Sequence, residues 1–345
     1  MKTIRLGTRP SALAMWQATW TRDALVKLGL DVEIVKISTT GDAKRHEAIV
    51  NLGAQGVFTK EIQGALLAGE IDLAVHSLKD LPVEKAPGLK LVASPERADT
   101  RDVFVSNRYE SIADLPPGAR LGTSSMRRKS MALRYCRKRF PDEPAWDVRD
   151  IRGNVETRLK KLDDGEYDAI ILASAGLTRL GFGDRARSFL DDSEFLTSVG
   201  QGALGFETRE DDAETIEQVV KLRHEPTWLS VLAERALLRR LEGGCIAPIG
   251  ARASVVSVEG AELISLDAEI LTFDGAKDYR TQSLQVLRAN ANDRELPLET
   301  KEQLAELLGS NAAETLLDLG ATGIVAEIQK SRAERAARLS APHQK

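Results

Sequence analysis

At 345 residues, with 42% hydrophobic and 29% charged residues, the chain exceeds one ordinary domain and has a globular composition, which excludes collagen-like and disordered classes. A formal net charge of −4 argues against a protein built to coat nucleic acid, and no apolar run approaches the roughly 18 residues that a membrane span needs. Two distant cysteines, Cys136 and Cys245, and four scattered histidines give neither a disulfide framework nor zinc-ligand spacing, so no metal is expected.

The chain enters strand-like sequence at Thr3 to Gly7 without an apolar export segment, so the cytoplasm is the expected location. A helix follows, with Leu13, Trp16, Trp20, Ala24 and Leu28 at helical spacing and Gly29 at its end. A β-rich run spans 32–37. The polar, Gly-containing connection from Gly41 to Phe58 reads equally as a lid over a cleft or as a surface loop. A helix from Thr59 to Ala68 and a strand from Ile71 to Val75 complete the first third. Strands alternating with helices imply a mostly parallel sheet.

The pattern then recurs. Leu6-Gly7-Thr8-Arg9-Pro10-Ser11 is echoed by Leu121-Gly122-Thr123-Ser124-Ser125-Met126, each at a strand-to-helix junction. Gly69-Glu70-Ile71-Asp72 is echoed by Gly165-Glu166-Tyr167-Asp168, each before an apolar strand. Two related α/β domains follow: residues 1–96 with 202–221, and residues 101–196, joined by a polar hinge at 95–101 and a Gly-rich return at 198–203. Beyond these, a long helix through Leu241, strand candidates from Ala251 to Leu287 and a helix from about Lys301 into the 330s predict an α+β third domain over 225–340. The tail after Ala336 reads as frayed.

Ligands in such folds sit at helix N-termini and loops at the carboxyl ends of strands. Arg9 and Ser11 stand at one such junction, and Thr123, Ser124, Ser125, Arg127 and Arg128 at the other. Simple helix capping accounts for a lone serine. Arginine at both junctions points further, because hydrogen bonds to charged groups contribute about 1.5–3 kcal/mol against about 0.3–1 kcal/mol from a helix terminus. Arg149, Arg152 with Gly153, Arg158 and Arg179 follow at similar places. Several guanidiniums lining one cleft imply a polyanionic ligand, and the competing reading is a solvated basic face. The run 126–140 holds seven basic residues and no acidic one, and the even spread of Arg134 to Arg139 looks like helix surface.

His76-Ser77-Leu78-Lys79-Asp80-Leu81-Pro82 follows a buried strand, so Lys79 and Asp80 occupy its carboxyl end. Asp80 there suits a proton shuttle or a countercharge for a developing cation, with Lys79 holding an anion or the aspartate. A surface ion pair beside a turn fits equally well. His76 reads as a core histidine. Cys245, in Leu241-Glu242-Gly243-Gly244-Cys245, is either a nucleophilic thiol in a tight loop or a buried inert cysteine. Cys136, within a helix, reads as the latter.

Leu6-Gly7-Thr8-Arg9, Val75 to Pro82, Gly122 to Arg128, Arg152-Gly153-Asn154-Val155, Gln201-Gly202-Ala203-Leu204-Gly205 and Leu241 to Cys245 together resemble the porphobilinogen deaminases, in family order over nearly the whole chain. The resemblance implies two periplasmic-binding-protein-like domains and a third bearing a dipyrromethane cofactor in thioether linkage to Cys245. It implies condensation of porphobilinogen into a linear tetrapyrrole, hydroxymethylbilane, by a cytoplasmic monomer without nucleic acid or membrane partners. Catalysis falls to Asp80 and Lys79. Cofactor contacts fall to Lys79, Asp80, Thr123, Ser124, Ser125, Arg127, Arg128, Arg152 and Gly153, and substrate contacts to Arg9, Ser11, Phe58, Arg152, Arg158, Arg179 and Gln201. Gln55 departs from the lysine that many relatives carry before the lid phenylalanine. The rival reading from another class is a non-catalytic two-domain binder of a small polyanion.

Overall fold

The computed structural model describes residues 2–38, 59–242, 247–290 and 292–340. The connection from Gly41 to Phe58, including Gln55 and Phe58, and Cys245 lie outside the described residues. The chain divides into two compact units: residues 1–97 with 203–228 and 326–345, and residues 98–202 with 229–325.

The first unit holds a five-stranded sheet built from β1 (Ile4–Thr8), β2 (Val32–Lys36), β3 (Leu73–Ser77), β4 (Leu89–Ala93) and β10 (Leu204–Arg209), in the order β2-β1-β3-β10-β4. Strand β1 runs parallel to β2 and β3, whereas β10 returns antiparallel between β3 and β4. The second unit repeats this plan with β5 (Asp102–Val105), β6 (Arg120–Gly122), β7 (Asp147–Arg149), β8 (Ala169–Ala173) and β9 (Ser188–Phe189), in the order β7-β6-β8-β5-β9. Here β6 is parallel to β7 and β8, and β5 is the antiparallel insertion. Both sheets are mixed α/β, as the alternating pattern predicts.

The repeat extends to side chains. The backbone N–H, Nε and Nη2 of Arg5 donate to the Asp72 carboxylate at 3.1, 2.9 and 2.8 Å. The same three groups of Arg120 donate to Asp168 at 2.9, 3.1 and 3.0 Å. Each aspartate thus clamps the central strand of its sheet, β3 or β8, to its parallel neighbour, β1 or β6, and this explains the repeated Gly-Glu-x-Asp signal. The repeated glycines are steric requirements: a Cβ on Gly7 would come within 2.3 Å of Ile71, and one on Gly122 within 2.8 Å of Tyr167.

In the first unit, α1 (Ala12–Lys27) buries Gln17, Ala18, Thr21 and Leu25, not the expected apolar stripe. Trp16 and Trp20 are each 37% exposed and Leu28 44%. The buried polar residues are satisfied, Gln17 Nε2 donating to Ser77 Oγ at 2.7 Å and Thr21 Oγ1 to the Gln17 carbonyl at 2.8 Å. A count of apolar residues therefore selects the wrong face. Helix α2 (Lys60–Leu67) covers the other side of the sheet, burying Ile62, Ala65 and Leu66 with Ile71, Ala74 and Leu89.

The second unit adds α3 (Met126–Arg139), α4 (Val155–Asp163) and α5 (Ser174–Arg179) around a core that includes Phe104, Leu121, Met131, Ile171 and Phe195. After α6 (Ala213–Val219) and α7 (Glu225–Arg240), an antiparallel meander forms from β11 (Ile249–Val258), β12 (Ala261–Leu271) and β13 (Asp278–Arg288), covered by α8 (Leu298–Leu316). The basic run of α3 is exposed at its end, at Arg137, Lys138 and Arg139, as the helix-surface reading has it, but not at Arg134. Arg134 is buried and pairs with Glu269 of β12, Arg137 donates to the Gly275 carbonyl at 2.8 Å, and Ser130 donates to the Phe273 carbonyl at 3.0 Å. These cations hold the meander against α3. The final helix, α9 (Thr322–Ser340), continues past the point where fraying was expected.

Candidate active site

Strand β3 is central in its sheet and buried from Leu73 to His76, so its carboxyl end emerges from the core at a fixed place. A single 3₁₀ turn, Leu78–Asp80, follows. Leu78 is buried, its N–H donating to the Ala203 carbonyl at 3.0 Å, while Leu81 N–H closes the turn on the Leu78 carbonyl at 3.1 Å. Anchored this way, the turn leaves Lys79 half-buried and Asp80 exposed. Arg9 and Ser11 share this edge of the sheet, at the end of β1. Ser11 caps α1, accepting from Ala14 N–H at 3.4 Å, so its hydroxyl serves local structure.

The equivalent edge of the second sheet gathers the segments after β6, β7 and β8, three adjacent strands. Thr123 Oγ1 accepts from Ser125 N–H at 3.2 Å, Ser124 Oγ donates to the Ile151 carbonyl, and Ser125 caps α3 by accepting from Arg128 N–H at 3.4 Å. Arg149, the last residue of β7, and Arg152 beyond it are exposed and pair with Asp147 and Asp150. Arg158 Nε donates to the Gly153 carbonyl at 2.8 Å. Gly153 has a φ of +114°, where a side chain would be strained, and a Cβ there would lie 2.6 Å from Thr157. After β8, Arg179 Nη2 donates to the Gly202 carbonyl at 2.7 Å, and burial pushes its guanidinium down to about 10.

Arg127 and Arg128 stand apart from the exposed arginines. Both are buried and both grip Asp102, Arg127 Nη2 on Oδ2 at 2.8 Å and Arg128 Nη2 on Oδ1 at 2.7 Å. Arg127 also donates to the Leu196 carbonyl at 2.6 Å, and Arg128 to the Ile171 carbonyl at 3.0 Å. Gln201, equally buried, donates through Nε2 to the Thr100 carbonyl at 2.6 Å and to Asp102 at 2.7 Å. Burial alone would raise the Asp102 carboxyl, but the two guanidiniums reverse this and hold it well below the usual carboxylate range. Burial pulls Arg127 down in turn, against the pull of Asp102. The expectation of ligand contacts at Arg127, Arg128 and Gln201 thus meets side chains engaged in an internal ion cluster. Asp102 was missed by sequence reasoning, although an acid at the mouth of the apolar run Val103-Phe104-Val105 is a legible signal for a buried partner.

Thr123, Ser124, Ser125, Arg149, Arg152, Arg158 and Arg179 therefore converge on one edge of one sheet, and Arg9, Ser11, Lys79 and Asp80 on the matching edge of the other. Cationic and hydroxyl groups predominate among the residues named on the first edge, and the exposed carboxylate of Asp80 stands with Lys79 and Arg9 among the described residues of the second. Among the described residues no cluster of His, Cys, Asp and Glu could hold a metal ion.

Comparisons with known proteins give the following. A family model described as "Porphobilinogen deaminase, dipyromethane cofactor binding domain" matches residues 4–217, and one described as "Porphobilinogen deaminase, C-terminal domain" matches residues 228–318. The porphobilinogen deaminase of Chlorobaculum tepidum is 44% identical over 335 residues, covering 96% of this chain and 99% of its own. Those of Chlorobaculum parvum and Chlorobium chlorochromatii are each 44% identical over 332 residues with the same coverage. Among solved structures, the methionine-binding protein MetQ aligns with 64% of this chain and 89% of its own at 15% identity and a TM-score of 0.41, too distant to carry an argument.

Proposed function

The chain belongs to the porphobilinogen deaminase family, and on that premise we propose how its residues divide the work of joining four porphobilinogen molecules, with loss of ammonia, into hydroxymethylbilane for tetrapyrrole synthesis. Each pyrrole ring carries an acetate and a propionate, so the growing product is a polyanion. The donor set at the carboxyl edge of β6, β7 and β8 has the matching chemistry. Guanidiniums give bidentate, permanently charged contacts to carboxylates.

Arg152, Arg158 and Arg179, with Arg9 of the first unit, bind the ring carboxylates. Thr123, Ser124 and Ser125 line the same edge, and Gly153 lets the backbone there approach closely. Ser11, which caps α1 in the first unit, Gln201, which bonds Thr100 and Asp102 in the second, and Phe58 belong to the substrate contacts. Arg127 and Arg128, held by Asp102 in the turn of helix that follows Thr123–Ser125, act on the cofactor side. Asp80 stabilises positive charge as it develops on a pyrrole nitrogen during departure of ammonia, and Lys79 holds a ring carboxylate beside it. Dipyrromethane, linked to Cys245 as a thioether, supplies the primer on which the chain grows.

The observation that carries this reading is an exposed carboxylate on a rigid turn at the end of a buried central strand, with arginines at the corresponding edge of the sister sheet. The protein works as a cytoplasmic monomer without nucleic acid or membrane partners. Among the described residues no helix is long and apolar enough to cross a membrane.

Intact-mass measurement of the purified full chain tests the reading. We expect a mass above that of the sequence by one dipyrromethane, loss of the increment in Cys245→Ala, and conversion of porphobilinogen to a linear tetrapyrrole. An unmodified chain that leaves porphobilinogen unchanged would defeat it.

A further inference from the structure

We propose that the buried pair Glu207 and His76 is a positioning device for the Lys79–Asp80 turn. This rests on the reading of Asp80 given above. His76 and Glu207 lie on neighbouring strands, β3 and β10, where Gly205 faces His76 and Glu207 faces Ala74. The two side chains are therefore diagonal neighbours on one face of the sheet. His76 Nε2 and Glu207 Oε2 are 3.0 Å apart, and their side chains are 3% and 6% exposed. Gln63, from α2 above that face, donates through Nε2 to Glu207 Oε1 at 3.0 Å.

A carboxylate and an imidazole enclosed between a sheet and a helix, with a half-buried amide beside them, carry a desolvation cost that a plain apolar face would avoid. Their place suggests what the cost secures. His76 is the penultimate residue of β3, three positions before Lys79. Ser77, whose side chain points to the opposite face, accepts from Gln17 of α1 at 2.7 Å. The last two side chains of the strand are thus each hydrogen-bonded, one from either side. The next residue, Leu78, is tied by its backbone N–H to Ala203, immediately before β10. Because Glu207 belongs to β10 as well, its bond to His76 and the Leu78–Ala203 bond fasten β3 to the same strand on either side of Ser77. Rotation or sliding of the strand end would move Asp80 directly, and misplacement by about 1 Å can cost on the order of a hundredfold in rate.

The test is a set of double-mutant cycles on the full chain. Glu207→Gln is nearly isosteric and leaves an amide where His76 and Gln63 need an acceptor. His76→Phe removes the imidazole, and His76→Gln keeps a donor near the position of Nε2. We expect Glu207→Gln and His76→Phe to lower kcat by roughly ten- to a hundredfold, with KM for porphobilinogen nearly unchanged and the covalent mass increment intact. His76→Gln should recover most of the rate. In an Asp80→Asn background, Glu207→Gln should cost less than about a further twofold, because residues acting through one group are non-additive.

Wild-type kcat in Glu207→Gln, or equal losses with and without Asp80, would overturn the proposal, the second result marking a general structural role. Should His76→Phe fail to fold, Glu207→Gln decides alone. If Asp80→Asn itself turns over normally, the assignment of Asp80 falls and this proposal with it. A damaged Asp80→Asn beside a silent Glu207→Gln sinks only the positioning role.

Discussion

Arg127 of α3 and Asp102, the first residue of β5, meet at 2.8 Å with side-chain exposures of 3% and 0%. Arg128 closes on the other carboxylate oxygen, so one aspartate offsets two guanidiniums where water has no access. Removing the shared carboxylate would leave both cations buried without their counter-ion. Breaking such a pair costs about 3–5 kcal/mol. Asp102→Ala should therefore move the urea midpoint far down or yield aggregated protein. A midpoint within experimental error of wild type would show that the cluster contributes nothing to folding.

The same electrostatics predict how stability responds to acid. Asp72 is buried; burial would raise its carboxyl, but hydrogen bonds from Arg5 and Lys2 outweigh this and hold it well below the usual range. Asp102 is depressed for the reason given above. A group whose pKa is lower in the folded state favours unfolding once it is protonated. Its contribution is therefore complete above its unfolded value, about 3.9, and is lost as pH falls toward the folded value. Urea midpoints should change little on account of these groups between pH 7 and pH 5 and drop steeply below about pH 4. Asp72→Asn should start lower at neutral pH and show a shallower acid slope. An Asp72→Asn profile parallel to wild type would remove that residue from the account.

The duplicated architecture was legible because it is written in short-range terms. Gly7 and Gly122, and Asp72 and Asp168, each answer a local demand at a strand end, so the echo appears in the letters themselves. The turn that carries Lys79 and Asp80 was legible as a structural feature for the same reason, since an apolar strand running into Ser77-Leu78-Lys79-Asp80 has one way out of the core. What the sequence concealed depends on distant partners. Arg134 reads as helix surface until β12 brings Glu269 to it from 135 residues away. Arg127 and Arg128 read as anion ligands, and nothing near them in the sequence announces that β5 also pairs both with Asp102. The buried face of α1 was misjudged because Gln17 and Thr21 satisfy their polar groups inside, which no hydrophobic periodicity records.

Arg152 and Arg127 should consequently fail in different ways. Arg152 is exposed and paired with Asp150 at 2.8 Å, a surface contact of little value to stability. Arg152→Ala should leave the urea midpoint in place while raising KM for porphobilinogen or stalling elongation by roughly tenfold or more, the weight of a charged hydrogen bond. Mass spectra of the protein incubated with limiting porphobilinogen would reveal any stalled chain length. Arg127→Ala should instead lower the midpoint first. Similar stability losses in both variants would contradict the division between exposed and internal arginines.

Asp80 offers the sharpest separation of chemistry from folding. It is exposed at the end of a turn whose shape is set by the burial of Leu78 and by two backbone hydrogen bonds, so the carboxylate is not needed for the turn to form. Asp80→Asn keeps the size of the side chain and removes its charge. Stability should stay within about 0.5 kcal/mol, as for surface substitutions in general. If the carboxylate offsets positive charge in the transition state, turnover should fall by about 10²–10³-fold, the usual loss on deleting one electrostatic stabiliser. KM should change far less, because a charge that develops only during departure of ammonia is absent from the bound ground state. A variant with a raised KM and a preserved kcat would reassign Asp80 to substrate binding.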